Sequence, residues 1–456
     1  MAVTPFVDRE LELSILDEAW VNRPCLVVVY GRRRIGKTRL VLEWCRRRFS
    51  SYVYYHALPA KHDVNLAGLA QAVEDGLGLR GFSRARYPSL DALLESLAYR
   101  VSEAVIVIDE FTYWARAEPR VVGELQKFVD HVLPNTKLLV IVVGSLVGVM
   151  YRSVIGGGAP LYGRARYRIE LRELEPWCLP RFYPWMRRDD LVRVYALLGG
   201  VPYYHTLVGK GWTIDDILVK LFLSPSAPLR DEVLFVLREE FRDPSTYYSV
   251  LKAIAQGAST PSSIAEATGI HRQHVSKYLN VLEKLGFVEK ERILFAKKSR
   301  YRIKDKLMHT WFTVIEPTIT RYSYIDPSEV LPRVRERVEE YVAKVFEELC
   351  FEYVRWLRSR KIIEFDEVGK FVHKGIEIDI VALDRGKKIA YLFEVKWSDL
   401  DENDVARIAR DLDRKARYLP LEGYEHRINV IVRKFSGSKP RDIEIHTIDD
   451  MPFETT

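Results

Sequence analysis

Cysteine is scarce and scattered. The four, Cys25, Cys45, Cys178 and Cys350, form no CxxC pair and no tight cluster with histidine, which argues against a zinc site and a disulfide framework and leaves buried thiols as the expectation. Long apolar runs are missing as well. The longest, Leu138 to Met150, has 13 residues and contains Gly144 and Ser145, short of the roughly 20 that a membrane helix needs, so no membrane partner is expected. The N-terminus reaches Asp8, Arg9 and Glu10 without a preceding apolar core; no secretory leader is expected, and the cytoplasm is the expected location. Asparagine and glutamine number only six and four, a depletion that thermophilic proteins often share. Internal repeats and low-complexity tracts are absent too.

Of the 456 residues, 48% are hydrophobic and 29% charged. That balance suits a soluble globular chain and excludes a wholly disordered one, while the length exceeds what one core supports and implies two to four domains. The net charge of +7 becomes informative once located. Residues 246–304 hold seven Lys and four Arg against four Glu, so this window carries the whole excess and the remainder sums to zero. A polyanionic partner for one segment is therefore a better reading than a generally cationic protein.

Cys25 to Tyr30 reads as a strand and Thr38 to Arg48 as an amphipathic helix. Between them lies Gly31-Arg32-Arg33-Arg34-Ile35-Gly36-Lys37-Thr38, the GxxxxGK[ST] pattern of a phosphate-binding loop in the context it requires. Glycines let the backbone curl its N–H groups around a β-phosphate, Lys37 reaches the β- and γ-phosphates, and Thr38 ligates Mg²⁺. Apolar segments 52–57, 104–109 and 138–144 alternate with helical patterns, as a buried parallel sheet requires. Val105 to Ile108 deliver Asp109 and Glu110; Asp109 would hold Mg²⁺ through water and Glu110 would polarise the attacking water. Ser145, after the strand Leu138 to Val143, is placed to sense the γ-phosphate or simply to form a turn.

Phe6-Val7-Asp8-Arg9-Glu10, GRRRIGKT, Ile108-Asp109-Glu110-Phe111, Pro160-Leu161-Tyr162-Gly163-Arg164 and Gly199-Gly200-Val201-Pro202-Tyr203 occur in that order over about 240 residues. In this set the chain resembles the archaeal ATPase family, an AAA-like branch related to the STAND NTPases. The resemblance implies an ATP site flanked by Asp8 and Arg9 near adenine, with Arg39 on the first helix and Pro202 as a lid contact. It also implies a charge-neutralising arginine at Arg164, acting in cis or from a neighbouring subunit, with Arg166 and Arg168 as alternatives; self-association through the ATPase domain would follow from the second arrangement.

Thr260-Pro261-Ser262-Ser263-Ile264 begins a capped helix, Gly269 turns the chain, and His271 to Lys284 forms the second helix of a helix-turn-helix. Val275, Leu279 and Leu282 face inward. Arg272, Gln273, His274 and Lys277 face out, residue types that read grooves and bind phosphates. A ribbon with strand Ile293-Leu294-Phe295, the cations Lys297, Lys298 and Arg300, and a second strand ending at Ile303 make the layout look like a winged helix with a basic wing. DNA is the expected partner, and intramolecular packing is the alternative use.

Near the C-terminus, Glu377 and Asp379 alternate on one strand, and Glu394 and Lys396 follow on the next, so their polar groups can converge. Carboxylates that bind a divalent metal, with a lysine to steady developing charge, are what phosphodiester hydrolysis needs. This arrangement resembles the PD-(D/E)xK nuclease fold. With Val345-Phe346-Glu347-Glu348-Leu349 on the preceding helix it is similar to the domain appended to many archaeal ATPases, which implies Glu347 or its neighbour as a first metal ligand beside Asp379 and Glu394, and Glu394 and Lys396 as catalytic. The departure is Ile378 where that pattern has Pro. His373 and His446 are read as surface or core residues.

The expected architecture is therefore multidomain α/β. It comprises a P-loop NTPase parallel sheet (1–172), a helical lid (173–243), a winged-helix domain (244–305), linking helices (306–338) and a C-terminal α/β restriction-endonuclease-like domain (339–456). ATP and Mg²⁺ are the expected cofactors, with Mg²⁺ or Mn²⁺ at the C-terminal site. The expected function is ATP hydrolysis coupled to DNA binding and metal-dependent cleavage; the alternative is a STAND-like switch whose nuclease-like fold does not cut.

Overall fold

The computed structural model describes residues 5–145, 158–296, 299–322 and 326–454. They form two compact units. One contains Phe6–Leu174 and Val201–Tyr203, the other Glu175–Gly200 and everything described from Tyr204 onward.

The first unit is a parallel sheet between helices. Its strands β1 (Cys25–Tyr30), β2 (Val53–His56), β3 (Ala104–Asp109), β4 (Leu138–Gly144) and β5 (Ala165–Glu170) lie in the order β2-β3-β4-β1-β5, all pairs parallel. Continuous apolar sequence in β1, β3 and β4 matches burial on both faces, because helices cover a parallel sheet from above and below. Helices α1 (Glu10–Val21), α2 (Lys37–Arg48), α3 (His62–Leu77), α4 (Leu90–Ala98), α5 (Phe111–Ala117) and α6 (Arg120–His131) do the covering. Strand β5 has no apolar run: Arg166, Arg168 and Glu170 alternate with inward residues, the pattern of an edge strand with one exposed face.

Within the larger unit, helix α7 (Arg188–Leu198) begins the stretch expected to be a separate lid. That stretch clusters instead with the C-terminal half of the chain, and only residues 201–203 group with the first unit. Helices α8 (Pro244–Ala255), α9 (Pro261–Thr268) and α10 (Arg272–Lys284) form the helix-turn-helix. Thr260 caps α9 with a reciprocal Ser263 bond, and Gly269 ends it at φ 70°, a left-handed turn that glycine makes without strain.

The wing departs from expectation. Its ribbon pairs β6 (Val288–Lys290) with β8 (Tyr301–Ile303), whereas β7 (Ile293–Leu294) leaves the ribbon and pairs in parallel with β9 (Glu367–His373). It thereby becomes the edge of a six-stranded C-terminal sheet ordered β13-β12-β11-β10-β9-β7, whose other strands are β10 (Ile376–Asp384), β11 (Ile389–Asp401), β12 (Glu425–Ser436) and β13 (Ile443–Thr447). The cause is local: the Lys370 amide donates to the Arg292 carbonyl at 2.7 Å, and Gly369 lacks the Cβ that would lie 2.8 Å from that oxygen and from the Leu294 side chain.

One helix, α11 (Pro327–Ser359), runs 33 residues through the expected boundary at 338/339. It buries a stripe from Val330 through Val338, Val345 and Leu349 to Leu357, so linker and C-terminal domain share one rod. Helix α12 (Glu402–Ala416) packs its apolar face on β11 and β12. All four cysteines are buried and free. No helix among the described residues is long and apolar enough to cross a membrane.

Candidate functional site

The loop 31–36 leaves the C-terminal edge of β1. Gly31 has φ 152°, and a Cβ there would lie 2.5 Å from the Leu171 carbonyl oxygen; this close passage beside the end of β5 is open only to glycine. Gly36 has φ 93° and caps α2. The buried Lys37 ammonium donates to the carbonyls of Gly31 at 3.0 Å and Arg32 at 2.9 Å, so the loop closes around its own cation.

Asp109, at the end of β3, is fully buried. Its Oδ2 accepts from Thr38 Oγ1 at 2.6 Å and Tyr54 Oη at 2.8 Å. Its Oδ1 accepts from the Glu110 amide at 2.8 Å. Glu110 has φ 50°, a left-handed conformation unusual outside glycine and characteristic of functional positions. It turns the side chain toward Ser145, whose Oγ donates to Glu110 Oε2 at 2.6 Å. Thr38, Asp109, Glu110 and Ser145 are thus brought together. Tyr54 joins them with no motif to mark it; burial, and then the adjoining Asp109 carboxylate, push its phenol above the ordinary range, so it stays a donor.

Asp8 lies at φ 56° and Arg9 is buried, its guanidinium donating to the Arg172 carbonyl at 2.8 Å and the Ile35 carbonyl at 3.5 Å. Arg9 therefore braces the phosphate loop against the end of β5. Arg39 lies 5.6 Å from the Phe6 ring centre. From the other side Pro202 approaches: a Cβ on Gly36 would meet its ring at 3.9 Å, and Arg34 stacks 4.4 Å from the ring centre of Tyr203. Arg164 is not brought to this edge. It precedes β5, whose Ala165 pairs with Leu26 at the start of β1 while Glu170 pairs with Tyr30 at its end, so it sits at the opposite edge of the sheet from the phosphate loop. There it bonds Asp130 at 2.7 Å and the Pro160 carbonyl at 2.8 Å. That register sets Arg164 apart from the phosphate loop of its own chain.

On α10, Arg272, Gln273, His274 and Lys277 are exposed while Val275, Leu279 and Leu282 are buried. Lys297 and Lys298 lie outside the described residues. Arg300 is half-buried, and its carbonyl accepts from the Glu291 amide at 2.8 Å.

Asp379 on β10 and Glu394 on β11 lie beside each other with Lys396, whose ammonium is 2.8 Å from Glu394 and 4.0 Å from Asp379. Asp379 also accepts from the Val395 amide at 2.8 Å. Glu347 reaches this cluster from α11 and meets Lys370 at 3.5 Å; its neighbour Glu348 points elsewhere, to Arg302 at 3.3 Å and to Lys306. Burial, and then Asp379, raise Glu347 to about 7, while burial, and then Glu394, raise Asp379. Two lysines unmarked by the motif also enter: Lys370 pairs with Glu377, and Lys415 bonds Glu394 at 3.1 Å. Among the described residues no three His, Cys, Asp or Glu side chains stand close enough to hold a metal ion.

A family model described as an ATPase domain predominantly from Archaea matches residues 6–208. One of the MarR family matches 244–293, and one described as Archaea bacterial proteins of unknown function matches 311–408. An uncharacterized protein of Methanocaldococcus jannaschii is 31% identical over 452 residues, covering 98% of this chain and 99% of its own. The chain belongs to the archaeal ATPase family. A second protein of that organism, an uncharacterized ATP-binding protein, is 38% identical over 47 residues, 10% of this chain and 80% of its own. Among solved structures, the Walker-type ATPase PABY2304 of Pyrococcus abyssi superposes with a TM-score of 0.53 at 21% identity, covering 67% of this chain and 96% of that one, a likeness of fold.

In this chain the donor set suits a hard cation: a hydroxyl from Thr38 and a buried carboxylate from Asp109 already share one point. Tyr54 steadies that carboxylate. Replacing it as Tyr54→Phe removes one of the hydrogen bonds that hold Asp109, each worth about 1 kcal/mol, and is expected to weaken Mg²⁺-ATP binding roughly fivefold in calorimetry. Unchanged affinity would show that Thr38 and the Glu110 amide suffice.

Proposed function

We propose that this protein hydrolyses ATP at the loop 31–38, binds DNA through helix α10, and cleaves nucleic acid at the Asp379–Glu394–Lys396 cluster. The first assignment rests on the junction of Thr38 and Asp109 at 2.6 Å beside a Glu110 poised by Ser145. Thr38 and Asp109 would hold Mg²⁺, whose charge offsets that of the β- and γ-phosphates. Lys37 and the loop amides orient the phosphates, and Glu110 orients the attacking water and takes up its proton. Asp8, Arg9 and Arg39 border the adenine side, and Pro202 closes over the loop. Arg164 would serve only a neighbouring molecule, from the opposite sheet edge. In that case ATPase turnover per chain rises with protein concentration; constant specific activity over a wide dilution series would exclude it.

DNA binding is carried by the exposed polar row of α10 within a window holding the chain's excess charge. The wing is tied into the C-terminal sheet through β7, so α10 rather than a free wing would make the principal contacts; Lys297, Lys298 and Arg300 add to the positive charge of the same stretch of sequence. Arg272→Ala with Lys277→Ala is expected to weaken binding to duplex DNA and to reduce the slope of log affinity against log salt by roughly 2, about 0.9 for each phosphate no longer neutralised. An unaltered slope would move the interface elsewhere.

For cleavage, Glu347, Asp379 and Glu394 would hold Mg²⁺ or Mn²⁺, which would activate water and stabilise the phosphorane-like charge, with Lys396 assisting. A second reading has its own observation: Lys370, Lys396 and Lys415 already pair with the carboxylates, and no three metal-ligating side chains converge among the described residues. That favours a nucleotide-driven switch binding DNA or a protein, on a nuclease-like fold that does not cut. Purified protein with plasmid DNA and Mg²⁺ or Mn²⁺, with and without ATP, separates the two. Cleavage lost in Asp379→Ala supports the nuclease; no cleavage by any chain, with ATPase activity lost only in Lys37→Ala, supports the switch.

A further inference from the structure

We propose that the groove between the wing and the end of α11 binds a single strand of nucleic acid, with Arg292, Arg355 and Arg358 holding its phosphates and Phe295 stacking on a base. The inference concerns binding only, and it stands apart from the assignments of duplex DNA to α10 and of cleavage to the carboxylate cluster.

The groove lies wholly within the larger unit. Residues 291–294 form one wall, and the last turn of α11 with residues 365–368 forms the other; the pairing of β7 with β9 holds the two together. Its volume is about 740 Å³, the scale of a small ligand or a short stretch of one strand. That is too little for a duplex, whose major groove alone is about 12 Å wide.

Three arginines line it. Arg292 is exposed, its backbone pinned where its carbonyl accepts from the Lys370 amide at 2.7 Å. Arg358, a turn beyond Arg355 on α11, lays its guanidinium 5.1 Å from the ring centre of the buried Phe365, which orients the plane and leaves its N–H groups for an anion. Neither Arg292 nor Arg358 pairs with a carboxylate among the described residues. Arg355 bonds Glu352 at 2.6 Å, an exposed pair of the kind that contributes little and exchanges readily. Of the acids in the lining, Asp366 accepts from the Arg385 amide at 2.8 Å and Glu367 pairs with the Arg385 guanidinium at 2.5 Å, which leaves Glu291 against the arginines among the described residues.

Phe295, directly after β7, is 46% exposed at φ 60°, a left-handed conformation that a bulky residue rarely adopts and that persists where function holds it. Its ring meets Phe371 edge-on with centres 6.3 Å apart, so it is steadied from the sheet while nearly half of it stays in water. Bases in a duplex already stack on one another, whereas an unpaired base offers its face; aromatic rings set among arginines are what hold a strand without regard to sequence. Arg358 also stands 358 − 347 = 11 residues from Glu347 on α11, about three turns and about 16 Å along the axis, and so on nearly the same face. A strand held here lies on the side of α11 that carries Glu347.

The test is fluorescence anisotropy on the full chain, in EDTA and without ATP so that nothing is cleaved, with a labelled oligothymidylate and a labelled duplex. Arg292→Ala with Arg358→Ala is expected to weaken oligothymidylate binding at least about tenfold and to lower the slope of log affinity against log salt by roughly 1.4, about 0.7 for each phosphate no longer neutralised. Phe295→Ala weakens it roughly tenfold with the slope unchanged, the mark of a lost stacking contact, and Phe295→Trp restores it. Duplex affinity changes less than about twofold in each case, and the same losses are expected in the Arg272→Ala, Lys277→Ala background, because the two surfaces are separate. All three side chains are exposed, and a thermal melt checks that each variant folds. The inference is overturned by oligothymidylate affinity unchanged in the arginine pair or in Phe295→Ala, by an equal loss for duplex, by losses that vanish in the α10 background, or by a wild-type chain that binds no single strand. Thymidine monophosphate competing as well as the oligonucleotide, mole for mole, would make this a mononucleotide pocket and overturn it too. Failure of the α10 assignment is read on duplex alone and leaves these outcomes intact.

Discussion

A carboxylate buried without partners would cost several kcal/mol, and Asp109 at the end of β3 is wholly buried. Its two oxygens are satisfied by a hydroxyl from α2, a phenol from β2 and the amide of the next residue. Those three bonds tie the phosphate-loop helix to two strands, and the third is made by Glu110, whose left-handed backbone carries its side chain to Ser145. Removing the carboxylate would unsettle the helix start and the candidate general base together. The parallel sheet supplies the reason for the convergence: every strand delivers its C-terminal end to one edge.

The same directional logic explains Arg164. A residue at the beginning of a parallel strand stands at the edge away from the ligand, and the pairing of Ala165 with Leu26 leaves no ambiguity about which edge that is. Its ion pair with Asp130 lies at that edge.

In the larger unit, β-strand pairing overrides the modular picture. By lending β7 to the C-terminal sheet, the wing makes the helix-turn-helix and the carboxylate-bearing domain parts of one body, reinforced by Glu348, which pairs with Arg302 and Lys306. DNA held on α10 would then stand in a fixed frame with the cluster of Glu347, Asp379 and Glu394. Arg193 and Trp397 extend the frame: both bond Glu339 on α11, and Trp397 follows Lys396 directly.

Sequence alone marked the phosphate-loop motif and the apolar strands around it. The glycine spacing, the apolar strands and the terminal carboxylates are local signals, each dictated by what backbone and side chain can do within a few residues. The helix-turn-helix and the alternation of Glu377 with Asp379 were legible for the same reason. Tyr54, Lys370 and Lys415 were not, since each acts on a partner that no local motif marks. The edge strand β5, the destination of β7, the unbroken α11 and the side of the sheet on which Arg164 falls were decided only by tertiary structure. Strand pairing and register are long-range choices, and a short segment such as Ile293–Leu294 carries too little pattern to declare which sheet it will join.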